Sequence, residues 1–328
     1  MSDGIKIVML WGLPLAILIV FLFEFGLRWR FGFGNPLVYI ANPNIGYCLA
    51  PNQDVWRFGN RIVINQYSMR SEAIAPQPDE KTLRLLLLGD SIANGGWWTA
   101  QDETLSALLR GSITNAVVSK SLTPYSQVEV LNASANSWGP RNELAYVQHY
   151  GMFGASVLIL LINTDDLFAT APTSVQVGRD RNYPDRKPPL AIVEVIGRYL
   201  IAQDPIPELQ QVQAERGDRV GKNLEAIRQI QTQTMETHSQ FLLALTPLLR
   251  EIDEPGPRDY ELEARDRLFV LTQEHQIAYL DFLPVFRALE SPDALYRDHI
   301  HLNGDGNAVV IEHLNCGVLD LLPNQKSF

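Results

Sequence analysis

Cysteine is almost absent: Cys48 and Cys316 are the only two in 328 residues, and no Cys-x-x-Cys pair occurs. Zinc, iron–sulfur and thiol-redox chemistries need thiols clustered at ligand spacing, so none of the three is supported. Two distant cysteines fit either one disulfide in an oxidising compartment or two free thiols. Pairing is the expectation if the chain is exported. Positive charge is also scarce. Lys and Arg number 27 against 37 Asp and Glu, a formal charge of −10, whereas a nucleic-acid partner calls for clustered Lys and Arg. No nucleic acid is expected. His299 and His301 form an HxH pair, but no further His or Cys cluster completes a metal shell. No metal and no organic cofactor is expected. Internal repeats are lacking. With 46% apolar and 20% charged residues, the composition is still that of a globular chain with length for a sizeable core.

One apolar run stands out. Ile7 to Phe23, "IVMLWGLPLAILIVFLF", holds 17 residues without a charge, the short end of what crosses a bilayer. Gly12 and Pro14 are tolerable inside such a helix. No polar face interrupts the run, which argues against a buried core helix. Bulky residues follow it, Glu24-Phe25-Gly26-Leu27-Arg28-Trp29-Arg30, where a cleaved signal peptide would show a small-x-small site. The run therefore reads as an uncleaved anchor within residues 1–30, with Trp29 near the interface and the lipid bilayer as its partner. Lys6 lies on one side and Arg28 and Arg30 on the other. Counting positive charges alone places the C-terminal side toward the cytoplasm.

Residues 31–80 are rich in Asn, Pro and Gly, with a short β-like piece at Arg61–Asn65, and read as a lead-in packing on the main domain. From 81 to 328 the pattern alternates. Near-continuous apolar runs at Leu83–Leu88, Val128–Leu131, Val157–Ile162, Phe241–Leu245 and Ile277–Leu280 read as strands buried on both faces. Helix-like segments at Glu103–Val117, Asn142–Gly151, Val220–His238, Glu261–His275 and Asn307–Leu322 separate and follow them. Five strands alternating with helices predict an α/β domain with a parallel sheet covered on both sides. One connection is too long for a crossover. Its proline-rich part, about 169–219, holds a short helix at Leu190–Ile201 and reads either as a cap over the ligand edge of the sheet or as a solvated loop.

Gly89-Asp90-Ser91 follows the first of these strands directly. Turn residues end strands, but ligands in open α/β sheets bind at the carboxyl ends of the strands, so Ser91 is equally placed to be a nucleophile. Such a serine needs a base, and the base an orienting carboxylate. "YRDHIHLNGDGN" at 296–307 supplies both from one turn: His301 to take the Ser91 proton, Asp298 to fix the imidazole tautomer. Trp97 and Trp98 either line the site or pack against the cap. Arg179, Arg181, Arg186 and Lys187 either attract an anionic substrate or are simply solvated.

GDS after the first strand and DxxHLNxxG before the last helix resemble the SGNH, or GDSL-type, hydrolase family, over Leu83 to about Leu322. "INQYSMRSE" at 64–72 is similar to the lead-in of membrane-anchored bacterial members. The resemblance implies a flavodoxin-like three-layer α/β/α sandwich with strand order 2-1-3-4-5. It implies hydrolysis or transfer of acyl esters through an acyl-enzyme, with Ser91 as nucleophile, His301 as base and Asp298 as its partner. It also implies an oxyanion hole built from the Ser91 backbone N–H, a Gly after the second strand and an Asn after the third. Here Ser134 takes the Gly place, from which its backbone N–H can still donate. "LINTDDLF" at 161–168 puts Asp165 where the family has Asn, so that either a protonated Asp165 donates, or the loop shifts and Asn163 donates, or the activity is altered or lost. An ionised carboxylate would repel an oxyanion. The activity that the resemblance implies is that of a membrane-anchored esterase or O-acyltransferase acting on acyl esters of envelope glycans or lipids, which puts its domain outside the cytoplasmic membrane, against the charge count. The alternative is an inactive binding or assembly protein with a degraded oxyanion hole.

Overall fold

The computed structural model describes residues 3–120 and 124–322, with side chains from 11 to 117 and from 124 to 322. The side chains of Ile7–Leu10, which begin the charge-free run, and residues 323–328, the end of the predicted catalytic domain, lie outside the described residues. The chain opens with α1 (Asp3–Phe31). Two antiparallel hairpins follow: β1 (Tyr39–Asn42) with β2 (Gly46–Leu49), and β3 (Gln53–Arg57) with β4 (Asn60–Ile64). The main domain is then β5 (Thr82–Gly89), α2 (Ser91–Asn94), α3 (Leu105–Lys120), β6 (Gln127–Ser134), α4 (Pro140–Tyr150) and β7 (Val157–Asn163). The long connection carries α5 (Ala191–Val195), a π-helical turn at Ile196–Leu200 and α6 (Pro207–Gln213). After it come α7 (Arg219–Glu236), β8 (Gln240–Thr246), α8 (Leu249–Ile252), α9 (Asp259–Glu274), β9 (Ala278–Asp281), α10 (Phe282–Arg287) and α11 (Gly304–Leu321).

The five later strands form one all-parallel sheet in the order β6-β5-β7-β8-β9. Numbered within the domain this is 2-1-3-4-5, the flavodoxin-like order. Alternation along each strand explains why its sequence is apolar throughout. Leu83, Leu85 and Leu87 of β5 face one core with residues of α3 and α11, while Leu86 and Leu88 face the other with residues of α4, α7 and α9. All five leucines are fully buried, each stabilising the fold by about 1.5–3 kcal/mol relative to exposure. The second core also takes in Tyr47, Cys48 and Leu49 of β2 and Ile62 and Ile64 of β4, so the lead-in hairpins pack on the sheet domain.

The cysteines do not pair, contrary to expectation: both are free. Cys48 lies in β2 over one face of the sheet and Cys316 on α11 over the other, so the sheet stands between them. Burial pushes the Cys48 thiol up to about 12.

Candidate active site

The strand order places β5 at the centre, paired with β6 on one side and β7 on the other. That is the switch point at which open parallel sheets bind ligands, and Ser91 is the second residue beyond β5. Gly89 is required there. A Cβ on it would meet the Leu161 carbonyl oxygen at 2.5 Å, so any side chain would force β5 from β7 just below the serine. Asp90 caps α2 by accepting the N–H of Ile92 at 2.8 Å, and Gly95, at φ 78°, ends that single turn in the left-handed conformation.

Ser91, His301 and Asp298 form one hydrogen-bonded chain. Ser91 Oγ lies 2.9 Å from His301 Nε2, and His301 Nδ1 lies 2.9 and 3.0 Å from the two Asp298 carboxylate oxygens. The turn holding the last two is fixed by a bridge between Tyr296 and Leu302 and by Asn303, whose side chain accepts the first N–H groups of α11. Burial raises the Asp298 carboxyl, but the N–H groups of His301 and Ile300, and the His301 ring, outweigh it and hold the carboxyl below its ordinary value. Trp98 lies edge-on to the imidazole at 4.7 Å between centroids, and Arg297 stacks over Trp98 at 5.0 Å. The aromatic ring covers the His301 ring, and the guanidinium fixes the aromatic ring.

Asn163 and Asp165 sit differently from their expected places. Both Asn163 amide hydrogens are engaged, one on Asp90 at 3.0 Å and one on Asp166 at 2.8 Å, while its oxygen accepts the Asp165 N–H. Asn163 is therefore a buried bridge between two carboxylates rather than a donor facing Ser91. Burial and the neighbouring Asp90 and Glu143 charges drive the Asp166 carboxyl well above its ordinary range; burial and the Asp90 charge do the same for Glu143. Asp165 is exposed. The Ser134 side chain is buried against Asn132 and Asn94.

The cleft beside Ser91 and His301 is small, about 280 Å³, and its wall contains Asn94, Trp97, Trp98, Asn136 and Ser137 but none of Asn163, Asp165 and Ser134. Sequence reasoning missed Asn136 and Ser137, which lie in the loop after β6, within "LNASANSWG" at 131–139, two and three residues past Ser134. Ser137 has φ 59°, a conformation that its residue type does not announce. The insertion also reaches the site. Asn182, Tyr183, Pro184 and Arg198 line the same cleft, and Tyr183 hydrogen-bonds Ser137 at 2.9 Å. Of the four basic residues singled out, Arg179 pairs with Glu208 and Arg181 holds backbone carbonyls of the insertion, while a separate groove of about 930 Å³ is lined by all four.

The third missed residue is Arg70, in the "INQYSMRSE" stretch. It is fully buried, and its guanidinium donates to the carbonyls of Asn94, Gly96 and Thr99. The lead-in thus clamps the loop that follows the serine.

No protein-family model matches the chain, and no curated protein matches its sequence. Solved structures do resemble it in shape. An acetylxylan esterase from Geobacillus stearothermophilus aligns over 72% of this chain and 93% of its own, at 15% identity and a TM-score of 0.47. LAE5, an alpha/beta hydrolase enzyme from the metagenome of Lake Arreo, aligns over 73% and 96%, at 16% identity and 0.45. A GDSL-like lipase from Bacteroides thetaiotaomicron aligns over 76% and 93%, at 11% identity and 0.44. At these identities the likeness concerns the path of the chain alone.

Proposed function

We propose that this chain is a serine esterase or O-acyltransferase of the SGNH type, anchored by α1 and acting through an acyl-enzyme on acyl esters of envelope glycans or lipids. The observation that carries the reading is the Ser91–His301–Asp298 chain of hydrogen bonds at 2.9–3.0 Å, on the ligand-binding edge of the sheet. Ser91 Oγ attacks the ester carbonyl as His301 Nε2 takes its proton; the imidazolium then gives that proton to the departing alkoxide. Asp298, held ionised, keeps the tautomer that leaves Nε2 free to accept. Water attacks the acyl-enzyme in a hydrolase, a sugar hydroxyl in a transferase, with His301 again as the base.

For the oxyanion the reading keeps the Ser91 backbone N–H and takes Asn136 in place of Asn163, Asp165 and Ser134. Asn136 lines the cleft, and its buried Oδ1 has no hydrogen-bond partner among the described residues. Α1 supports the anchor: Trp11–Phe31 is long and apolar enough to cross a membrane. The catalytic domain is placed outside the cytoplasmic membrane on the family resemblance.

Hydrolysis of p-nitrophenyl acetate by the full chain in detergent tests the reading. We expect turnover that Ser91→Ala abolishes with little change in folding stability, because the lost hydroxyl sits at a solvent-reached turn. The engagement of Asn163 favours one rival, an inactive binding protein with the same fold. Inertness toward every acyl length would favour that rival.

A further inference from the structure

One apolar surface lies outside the cleft. Leu190, Val193, Ile196, Leu200 and Ile201 follow one another at helical spacing along α5 and its π-helical turn, and all are exposed, Leu200 at 76%. The opposite side of this segment is packed: Ala191 is buried with Leu27 of α1 and Phe33, with Ile192 and Val195 against them. Polar ties fix the segment as well. Glu24 of α1 accepts the N–H groups of Ala191 and Ile192 at 2.7 and 3.0 Å, Arg28 donates to the Pro189 carbonyl, and Glu194 forms a buried ion pair with Arg57 at 2.7 Å.

Glu24 is the residue that ends the charge-free run. The start of α5 is therefore level with the end of that run. Seventeen helical residues rise about 25 Å, against about 30 Å for a hydrocarbon core. The α5 segment stands at the level of Glu24 to Arg28, where Phe25 and Trp29 of α1 are also exposed. Arg186 and Lys187, both exposed, precede the segment and put positive charge next to it, as suits an anionic headgroup layer.

We propose that Leu190–Ile201 rests in the bilayer surface as a second membrane contact beside α1. It sets the mouth of the Ser91 cleft at that surface, so that the ester taken is a membrane-resident amphiphile. Aromatic rings connect the two places. Phe31 at the end of α1, Phe58, Trp97, Trp98 and His301 follow one another at centroid spacings of 6.0, 4.6, 5.7 and 4.7 Å, an apolar wall along which an acyl chain can lie between bilayer and imidazole. This proposal rests on the readings of α1 as an anchor and Ser91 as a nucleophile.

The test uses the full chain, with Cys316→Ser, in phosphatidylcholine–phosphatidylglycerol vesicles. A nitroxide is placed at Leu200→Cys or, for comparison, at Met235→Cys, which is exposed at the far edge of the sheet where β8 begins. Collisions with oxygen and with a water-soluble nickel complex report depth. The label at 200 is expected below the phosphates and the label at 235 in water. Equal nickel access at both positions, or failure of the vesicles to retain the chain, overturns the proposal. In parallel, Leu200→Asp with Ile201→Asp is expected to leave p-nitrophenyl acetate hydrolysis unchanged and to slow a long-chain p-nitrophenyl ester carried in vesicles by about tenfold. Unchanged hydrolysis of the vesicle-borne ester also overturns it. If Ser91 is not a nucleophile, the unsubstituted chain hydrolyses neither ester, and the depth measurement alone decides the surface contact.

Discussion

Replacing Arg70 tests whether the lead-in is part of the active site. Its guanidinium makes three hydrogen bonds, to the carbonyls of Asn94, Gly96 and Thr99, and its backbone N–H donates to the Asn132 carbonyl of β6. Arg70→Met keeps the length and apolar stem and removes every side-chain donor. Hydrogen bonds to a charged group contribute about 1.5–3 kcal/mol each, so three lost together approach 5–9 kcal/mol before compensation. Burying the guanidinium itself costs several kcal/mol, which the variant is spared. The net expectation is destabilisation of about 2–4 kcal/mol, a large share of the stability of a typical domain. The freed carbonyls lie in the turn after Ser91, and a displacement of about 1 Å there is worth roughly 10²-fold in rate. Urea unfolding of the full chain in detergent, with p-nitrophenyl acetate kinetics alongside, reads both quantities. An unchanged urea midpoint together with a kcat within twofold of the parent would refute the clamp.

Two further substitutions separate structural from chemical roles. Asn163→Ala should destabilise the chain by about 2–3 kcal/mol in the same unfolding assay, since Asp90 and Asp166 lose their shared buried donor; a fully stable variant with kcat down about 10²-fold would instead mark Asn163 as an oxyanion donor. Glu143 is fully buried, with neither carboxylate oxygen hydrogen-bonded among the described residues, and its carboxyl is raised well above the ordinary 4.5. The folded chain therefore holds a proton that the unfolded chain releases above pH 4.5, and stability falls with rising pH until the folded value is passed. Relative to Glu143→Gln, the parent should lose up to about 1.4 kcal/mol per pH unit. A stability difference between the two that stays flat from pH 5 to 7 would show that Glu143 is ionised in place.

The sheet is legible because its five strands are buried on both faces, so that each is a short unbroken apolar run between helical periods. The Asp298-x-x-His301 turn is legible for a related reason: parallel topology carries its loop to the same edge as Ser91, whichever side chains fill the middle. What escaped depends on partners far away in the chain. Arg70 lies in a polar lead-in, and nothing near it in sequence announces three carbonyls beyond β5. Asn163 stands where an oxyanion donor is expected, yet Asp90, 73 residues away, takes one of its hydrogens. The pairing of Cys48 with Cys316 fails because a count of cysteines carries no information on which face of the sheet each covers. Asn136 and Ser137 escaped because a left-handed Ser137 re-aims the loop, and β6 ends before it.

On the proposed function, Ser91 is a nucleophile activated by His301. Incubating the full chain with a fluorophosphonate and locating the adduct by peptide mass spectrometry tests it most directly, because the reagent phosphonylates an activated serine whatever the natural ester. A single modified residue, Ser91, is expected, with labelling lost in His301→Ala and slowed in Asp298→Ala. A chain that stays unlabelled, or one in which Ser91 is labelled equally well without His301, would contradict it.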